Sequence, residues 1–444
     1  MKHLRGLGPT PGRPSQWPAI VFITGSLLMP GNINQVRLAG IVLLAVACFG
    51  PRLLRLPISP EGTVAVLGLS ALLIAGVIVR GLIEPQYFTI REPGEITRWV
   101  PLLVIIVLGK EVIALRWSGL VTAALVVTGL DVAASLAQLT TGDAFKPFWL
   151  LFNSPIHYSL SLGVSSRTLA FSVSPGEHGS LLVAMSIILL TAFVFQPRPL
   201  YLIGILAAIG DLATTQSQTG ILALAVVVGT VGAIIILRRP AARATRWAIT
   251  QVAVIAVVAA APVAWLIRTR LRYLDSLFEQ GTSRHSYQGR LDKWATVLET
   301  FQSRGHYLVF GGGKFIYGYY GTAMDSDLLY MLTIYGLPVL ALSLLVLAVF
   351  LLMPLFVERV QPRHVALAAM ASSALVESWA NQFITDIRLV TLMAVVALTF
   401  DDPMPALRRS AGSARGRAGS AADVSPAPPP KVPPAAPGRA ALLS

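Results

Sequence analysis

Apolar residues fill most of this chain in long runs, and short polar stretches separate the runs. A helix needs about 20 apolar residues to cross the hydrocarbon core of a bilayer, with a range of roughly 17 to 25. By this criterion the pattern predicts twelve membrane-spanning helices, which places both ends of the chain on the same side. The predicted spans are 18–30, 36–51, 62–82, 96–115, 117–139, 176–196, 199–215, 219–237, 247–267, 326–353, 363–381 and 386–400.

The composition agrees with this pattern. Only 13% of the residues are charged, compared with about 25% in an ordinary soluble domain. So little charge cannot cover a globular surface, so we predict an all-α polytopic membrane protein and exclude a disordered chain, a collagen and a disulfide scaffold. The single cysteine, Cys48, has no partner for an internal disulfide.

The net charge of +14 also has an explanation within a membrane protein. Lys and Arg accumulate in the cytoplasmic loops, and an N-terminus in the cytoplasm places every strongly basic short loop on that side. We therefore predict a multi-pass protein of the cell inner (plasma) membrane with both termini cytoplasmic, and no nucleic-acid partner. The basic residues that agree are Arg52, Arg55, Lys110, Arg116, Arg198, Arg238, Arg239, Arg243, Arg246, Arg359, Arg363, Arg408, Arg409, Arg415 and Arg417.

Two regions follow from these boundaries. Residues 1–400 form the predicted membrane domain, which includes two extracytoplasmic loops, 140–175 and 268–325. Residues 401–444 are rich in Pro, Ala, Gly and Arg, and such a composition predicts a disordered cytoplasmic tail.

The first extracytoplasmic loop is semi-polar and carries Arg167 before a helix start. Ser174-Pro175-Gly176-Glu177-His178 combines a turn with an acidic residue in a first helical turn, which the helix dipole favours. Glu177 and His178 are candidate substrate-binding residues, with helix capping as the alternative. For Arg167 the alternative is a side chain that reaches the lipid headgroups.

The second loop holds eight basic residues and five acidic ones on the side where positive charge is not needed for orientation. An anionic ligand would explain the excess, with Arg284, His285 and Lys314 among its candidate contacts. Residues 289–301 place Leu291, Trp294, Leu298 and Phe301 at helical spacing, so we predict an amphipathic helix. Arg290 is expected in its first turn, where a guanidinium can hold a phosphate through a bidentate pair of hydrogen bonds.

Gly311-Gly312-Gly313-Lys314 resembles a phosphate loop only superficially. It lacks the spacing of a P-loop and the Ser or Thr after the lysine, so we predict a flexible turn without nucleotide. Asp325-Ser326-Asp327 follows directly before a predicted span. Its carboxylates could hold a divalent cation, one could act as a general base, or Ser or Asp could simply cap the helix.

A run of hydrogen-bonding side chains, Thr214-Thr215-Gln216-Ser217-Gln218-Thr219, joins two predicted spans on the extracytoplasmic side. Polar groups at a membrane edge either line a cavity or face water. Gln216 and Gln218 are therefore candidate sugar-binding residues, although an ordinary turn explains the pattern equally well.

Taken in order, these segments resemble the O-antigen ligase and O-antigen polymerase superfamily. The resemblance covers roughly residues 165–340. It depends on the succession Arg167, Ser174-Pro175-Gly176-Glu177-His178, Thr215-Gln216-Ser217-Gln218-Thr219-Gly220, Gly289-Arg290-Leu291-Asp292-Lys293-Trp294, Phe310-Gly311-Gly312-Gly313, Asp325-Ser326-Asp327-Leu328-Leu329-Tyr330 and Tyr335-Gly336-Leu337.

The resemblance implies a membrane glycosyltransferase of the C type. Such an enzyme moves a glycan from an undecaprenyl-pyrophosphate donor to an acceptor hydroxyl at the extracytoplasmic face, without nucleotide sugar, cofactor or metal. By resemblance, Arg167 and Arg290 hold the donor pyrophosphate. Ligases carry an activating histidine eleven residues before the glycine that corresponds to Gly336, and this chain has Asp325 there; the arginine common in the middle motif is Gln218. Both departures weaken the ligase assignment and favour a polysaccharide polymerase or a relative with another acceptor.

In the mechanism that we predict, Arg167 and Arg290 stabilise the charge that develops on the departing pyrophosphate. Asp325 takes the proton of the acceptor hydroxyl, with His178 and His285 as alternatives. Asp327 and Lys314 complete the predicted site.

A polysaccharide transporter or flippase is the competing hypothesis, since twelve spans fit it equally well. A transporter needs charged or broken helices at mid-membrane. The charged candidates within predicted spans mostly fall near span ends, with Asp131 the exception; they are Lys110, Glu111, Asp131, Asp211 and Glu377.

Overall fold

The structure is a computed structural model that describes residues 15–30, 34–53, 60–87, 91–165, 167–238, 285–313, 326–379, 381 and 383–401. The described residues form helices and no strand, which confirms the predicted all-α class. The predicted span 247–267 lies outside the described residues. So do residues 402–444, which make up all but the first residue of the predicted tail.

The described chain contains seventeen α-helices, numbered here in chain order, and two short 3₁₀ turns at Pro85–Tyr87 and Gly142–Phe145. The α-helices are α1 (Trp17–Leu27), α2 (Asn34–Leu53), α3 (Pro60–Ile83), α4 (Arg91–Thr97), α5 (Val100–Ile113), α6 (Trp117–Thr141), α7 (Lys146–Trp149), α8 (Pro155–Ser165), α9 (Pro175–Phe195), α10 (Pro199–Thr215), α11 (Gln218–Arg238), α12 (His285–Ser303), α13 (His306–Phe310), α14 (Asp327–Tyr335), α15 (Leu337–Phe356), α16 (Pro362–Glu377) and α17 (Ile387–Leu398).

Five of these helices are long and apolar enough to cross a membrane: α3, α6, α9, α11 and α15. Helices α1, α10 and α17 are apolar but shorter. Two predicted spans are interrupted. Positive φ angles at Gly109 and Gly336 break the helical path, so 96–115 contains a kink near its end and 326–353 divides into α14 and α15.

Helix α9 forms the centre of the bundle. Beyond its first turn it is largely apolar on every side, nearly every residue is buried, and it packs against α6, α10, α11 and α16. A helix with no polar face can be stable only inside a protein or against lipid. Helices α3 and α15 are suited to face lipid, since apolar side chains such as Val64, Leu67 and Leu345 are largely exposed on their surface. This outward apolar surface is that of a membrane protein.

Arginines cap one end of the bundle. Arg52 donates to the Val112 and Ile113 carbonyls, at 2.8 and 3.0 Å, where α5 ends. Arg363 donates to the Thr399 carbonyl at 3.0 Å, directly after α17. Positive charge stabilises the negative end of a helix dipole. Both arginines belong to loops that the sequence analysis predicts on the cytoplasmic side.

The triglycine segment has a packing role. Gly311 and Gly336 both have positive φ, and the Gly312 N–H donates to the Thr333 carbonyl at 2.7 Å. A β-carbon on Gly311 would overlap the Ile334 carbonyl, and one on Gly336 would overlap that of Val309. The prediction of a flexible turn therefore needs correction, because these glycines allow two backbones to touch.

Helix α13 is held against the end of α3 by a polar group. The Tyr307 hydroxyl donates to Glu84, and Arg304 donates to Glu84 at 3.0 Å and to Tyr307 at 2.8 Å. Burial, reinforced by the carboxylate of Glu84, raises the pKa of Tyr307 to about 12. The phenol therefore stays protonated and donating at neutral pH.

Candidate functional site

A buried ion network occupies the end of the bundle opposite the arginine-capped end. We call it the polar end; it is formed by the starts of α2, α9 and α17 and the end of α10. Arg388, fully buried in α17, donates to Asp386 at 2.8 Å, to Glu177 at 3.0 Å and to Ser172 at 3.2 Å. Asp386 also caps α17 by accepting from the Arg388 backbone N–H. Asp386 thus both caps α17 and holds the Arg388 guanidinium, which the long-range ion pair with Glu177 also fixes.

Arg37 extends this network from α2. Its Nη2 lies 4.0 Å from Glu177, and the residue is only 4% exposed. Its Nε and Nη2 atoms have no hydrogen-bond partner among the described residues. Since an unsatisfied buried guanidinium is costly, the geometry leaves donors available for an anion.

Arg98 lies beside a cleft between α5 and α17. It donates to the Tyr330 hydroxyl at 2.8 Å and lies 3.6 Å from Glu95. The cleft is narrow, and its lining combines this arginine with aromatic, aliphatic and hydroxyl side chains: Trp99, Leu102, Tyr335, Ile384, Thr385, Ile387 and Val390. Such a lining can accept an apolar chain beside an anionic group.

The predicted site residues between Arg167 and Gln218 take different positions in the structure. Arg167 Nε donates to the Thr215 carbonyl at 2.8 Å, so it joins the loop to the end of α10. Glu177 is part of the ion network, while Ser174 provides the helix cap. Gln216 ends α10 with a positive φ. Gln218 begins α11, and its buried amide nitrogen has no partner in the described part of the chain.

His178 is fully buried, which corrects its prediction as a substrate-binding residue at the membrane edge. Its Nε2 lies 3.1 Å from Asp131 and 3.4 Å from Asp211, and its Nδ1 faces the Thr168 carbonyl at 3.4 Å. Helices α6, α9 and α10 supply the three side chains. A proton acceptor for a substrate hydroxyl must reach that hydroxyl, and this imidazole faces the protein interior.

Asp327 is also buried, and it accepts hydrogen bonds from its own protein rather than facing a ligand. Its carboxylate accepts from the backbone N–H groups of Phe383, Ile384 and Thr385 and from the Thr385 hydroxyl. Ser326 caps α14, which confirms the capping alternative. The predictions that Asp327 binds a substrate or a metal are corrected because its oxygens already have these donors.

We expect Asp327→Asn to loosen residues 383–385, because an amide nitrogen cannot accept the N–H groups that the carboxylate accepts. Leaving buried donors unsatisfied costs about 1–3 kcal/mol each. Hydrogen exchange measured by mass spectrometry should show faster exchange in this segment. Asp292→Asn is the matched control, since Asp292 is exposed on α12. Equal exchange in both variants would contradict the anchoring role.

The second loop is only partly described. Arg284, Lys314 and Asp325 lie outside the described residues, as do the side chains of His285 and Arg290. The predicted amphipathic helix is confirmed as α12. Because α12 begins at His285, Arg290 is its sixth residue and not in the first turn.

The buried face of α12 also differs from the prediction. Val297 and Phe301 are buried, and Trp294 contacts Trp379 with ring centroids 5.3 Å apart, whereas Leu291 and Leu298 are exposed. The helix therefore packs through a stripe of 294, 297 and 301, which is also compatible with helical spacing.

Sequence reasoning missed Arg37, Arg98 and Arg388. Each lies near an edge of a predicted span, where a charged residue is ordinarily explained by the membrane interface. The sequence did contain one indication of a function. All three arginines fall on the side that the predicted orientation makes extracytoplasmic, and the positive-inside rule explains arginines only on the cytoplasmic side. Only their convergence in space distinguishes them from interface residues.

No protein-family model matches this chain, and no curated protein matches its sequence. The resemblance to the O-antigen ligase and polymerase superfamily therefore depends on the motifs of the sequence alone.

Proposed function

We propose that the protein is a membrane glycosyltransferase that moves a glycan from an undecaprenyl-pyrophosphate donor to a sugar hydroxyl, most simply as a polysaccharide polymerase. The observation that carries the proposal is the position of Arg98 in the lining of an aromatic and aliphatic cleft, with the partly unsatisfied guanidinium of Arg37 nearby at the polar end. A lipid pyrophosphate needs these two features together. Planar guanidinium groups bind phosphate oxygens bidentately.

The reaction requires little other chemistry from the protein. The acceptor oxygen forms a bond to the anomeric carbon, and the bond from that carbon to the pyrophosphate oxygen breaks with both electrons on the leaving group. Arg98, at the cleft, would stabilise this developing charge, with Arg167 and Arg290 as further candidates from the sequence. Asp325 remains the proposed acceptor of the hydroxyl proton. The orientation from the sequence places this end outside the cytoplasm.

Transfer can be tested with the full chain reconstituted in bilayers with an undecaprenyl-pyrophosphate-linked oligosaccharide. A ladder of evenly spaced products on a gel is the result expected of a polymerase. We expect Arg98→Ala to reduce the rate about 100-fold or more, as for removal of one transition-state donor. Arg98→Lys should recover only part of it, because lysine lacks the planar fork.

Arg359→Ala is the matched control, since Arg359 is an exposed arginine in the turn between α15 and α16. Full transfer by Arg98→Ala would remove the pyrophosphate role from the cleft. A single unchanged band from the wild type would contradict a polymerase. Transfer only after a different glycan acceptor is added would identify the ligase alternative.

One observation favours a transporter as the second candidate. Ionisable side chains are buried within helices α6, α9, α10 and α16, at Asp131, His178, Asp211 and Glu377. Such groups commonly mark ion or proton pathways in membrane proteins. Movement of the lipid-linked oligosaccharide across sealed vesicles, without a new glycosidic bond, would support this candidate over the enzyme.

A further inference from the structure

Three buried side chains from different helices converge on one point. The His178 Nε2 atom lies 3.1 Å from Asp131 Oδ2 and 3.4 Å from Asp211 Oδ2. All three candidate donor atoms lie within 4.8 Å of one another, and all three residues are buried. We call this group the Asp–His–Asp cluster.

Hydrogen bonds do not satisfy the cluster. Although the distances are short, the geometry leaves His178 Nε2, both oxygens of Asp131 and Asp211 Oδ2 without a hydrogen-bond partner among the described residues. More than nine-tenths of each side chain is buried, and one potential ligand atom from each residue lies within 4.8 Å of the other two. Buried polar atoms in native proteins almost always have a partner, so the orphaned atoms indicate a ligand common to all three residues.

The charge balance indicates the sign of that ligand. The neighbouring buried cations, Arg37 and Arg388, already face Glu177 and Asp386. The two carboxylates of the cluster therefore contribute −2, and a protonated His178 reduces this only to −1. Buried charge must be compensated, and a divalent cation held by a neutral imidazole brings the sum to zero.

The other imidazole nitrogen fixes the orientation of the ring. His178 Nδ1 faces the Thr168 carbonyl, to which it can donate only as N–H. With a proton on Nδ1, Nε2 is left to bind a cation between the two carboxylates, either a proton or a metal ion, and only the divalent ion balances both carboxylates. Metal-binding histidines are commonly fixed through the second ring nitrogen in this way.

We propose that the Asp–His–Asp cluster binds one divalent transition-metal ion of the Zn²⁺ type. One nitrogen and two oxygen ligands suit Zn²⁺, Mn²⁺ or Co²⁺, whereas Ca²⁺ and Mg²⁺ prefer oxygen alone. Ligand bonds of about 2.0–2.1 Å place tetrahedral ligand atoms roughly 3.3 Å apart, and the two separations from Nε2 in the structure are 3.1 and 3.4 Å.

Residues around the cluster fix its ligands. The Thr214 hydroxyl donates to Asp211 Oδ1 at 3.0 Å, which leaves Oδ2 directed to the cluster. Thr168 and Thr214 also join through their side-chain oxygens at 2.6 Å, so the group that orients Asp211 also contacts the residue that faces His178. Three protein ligands leave a fourth tetrahedral position for water or another group.

The proposal can be tested on the full-length protein, purified in detergent and freed of metal with a chelator. Equilibrium dialysis against Zn²⁺, with total metal measured by mass spectrometry, should show about one ion per chain. His178→Gln and Asp211→Asn should each weaken binding at least tenfold. Glu377→Gln is the matched control, because Glu377 is an equally buried carboxylate that accepts from Ser180 and Ser373 instead.

A second measurement on the wild type covers variants that fail to fold. X-ray absorption of the Zn²⁺-loaded protein should show one imidazole nitrogen with oxygen ligands at about 2.0–2.1 Å. Absence of stoichiometric Zn²⁺, a ligand shell without imidazole, or binding by both cluster variants as tight as by the wild type would overturn the proposal. None of these measurements requires glycan transfer, so failure of the proposed function would leave this test unaffected.

Discussion

Replacing Arg388 by Gln should destabilise the protein more than any other single substitution in the ion network. The change leaves Asp386 and Glu177 facing a neutral side chain in a buried position. Removing one partner of a buried ion pair typically costs about 3–5 kcal/mol. We expect a lower free energy of unfolding, visible as a lower thermal midpoint of the purified protein in detergent.

A double-mutant cycle separates charge from packing. If the cost comes from the orphaned carboxylate, Arg388→Gln combined with Asp386→Asn should be less destabilising than the sum of the two single changes. Arg359→Gln provides the control, since the Arg359 side chain is exposed. Strict additivity of the two buried changes would show that the pair contributes no coupling.

Gly336→Ala should be the most damaging change of a single methyl group. Gly336 has φ 84° and ψ 176°, a conformation that is essentially restricted to glycine and costs other residues of order 1–3 kcal/mol. The added β-carbon would also overlap the Val309 carbonyl. We expect the free energy of unfolding to fall by about 2 kcal/mol or more. The loss should be visible as a smaller fraction of protein that stays monodisperse after heating than for the wild type.

Gly229→Ala is the matched control for this test. Gly229 lies inside α11, and a β-carbon there would meet no atom within 4 Å. Alanine stabilises helix interiors relative to glycine by up to about 1 kcal/mol, so this variant should be neutral or slightly more stable. Equal loss of stability in both variants would contradict the close approach of α13 and α14 as the cause.

The Asp–His–Asp cluster would have different roles in a glycosyltransferase and in a transporter. The family resemblance implies a transfer reaction without metal, and a structural ion in the Asp–His–Asp cluster is compatible with that, because the cluster is buried within helices. A transporter would instead use these ionisable groups directly. Transfer assays with and without chelator, compared with Zn²⁺ binding, therefore examine separate properties of the molecule.

The sequence by itself determined the class of protein and most helix positions. Long apolar runs have few alternatives to a buried or lipid-facing helix, so α6, α9, α10 and α11 begin and end within a few residues of the predicted bounds. Ser326 caps its helix, which was one of the alternatives that the sequence left open, because a cap depends only on neighbouring residues. The interruptions at Gly109 and Gly336 were missed, since glycine alone does not show which φ it adopts.

Only the tertiary structure decided the roles of the charged residues. Glu177 and Arg388 are 211 positions apart in the chain yet form one ion pair, and Asp131, His178 and Asp211 meet only because α6, α9 and α10 pack together. Hydrophobic periodicity fixes which segments are helical and which faces are apolar. It does not fix which polar groups meet across helices, because that depends on the packing of neighbours distant in sequence.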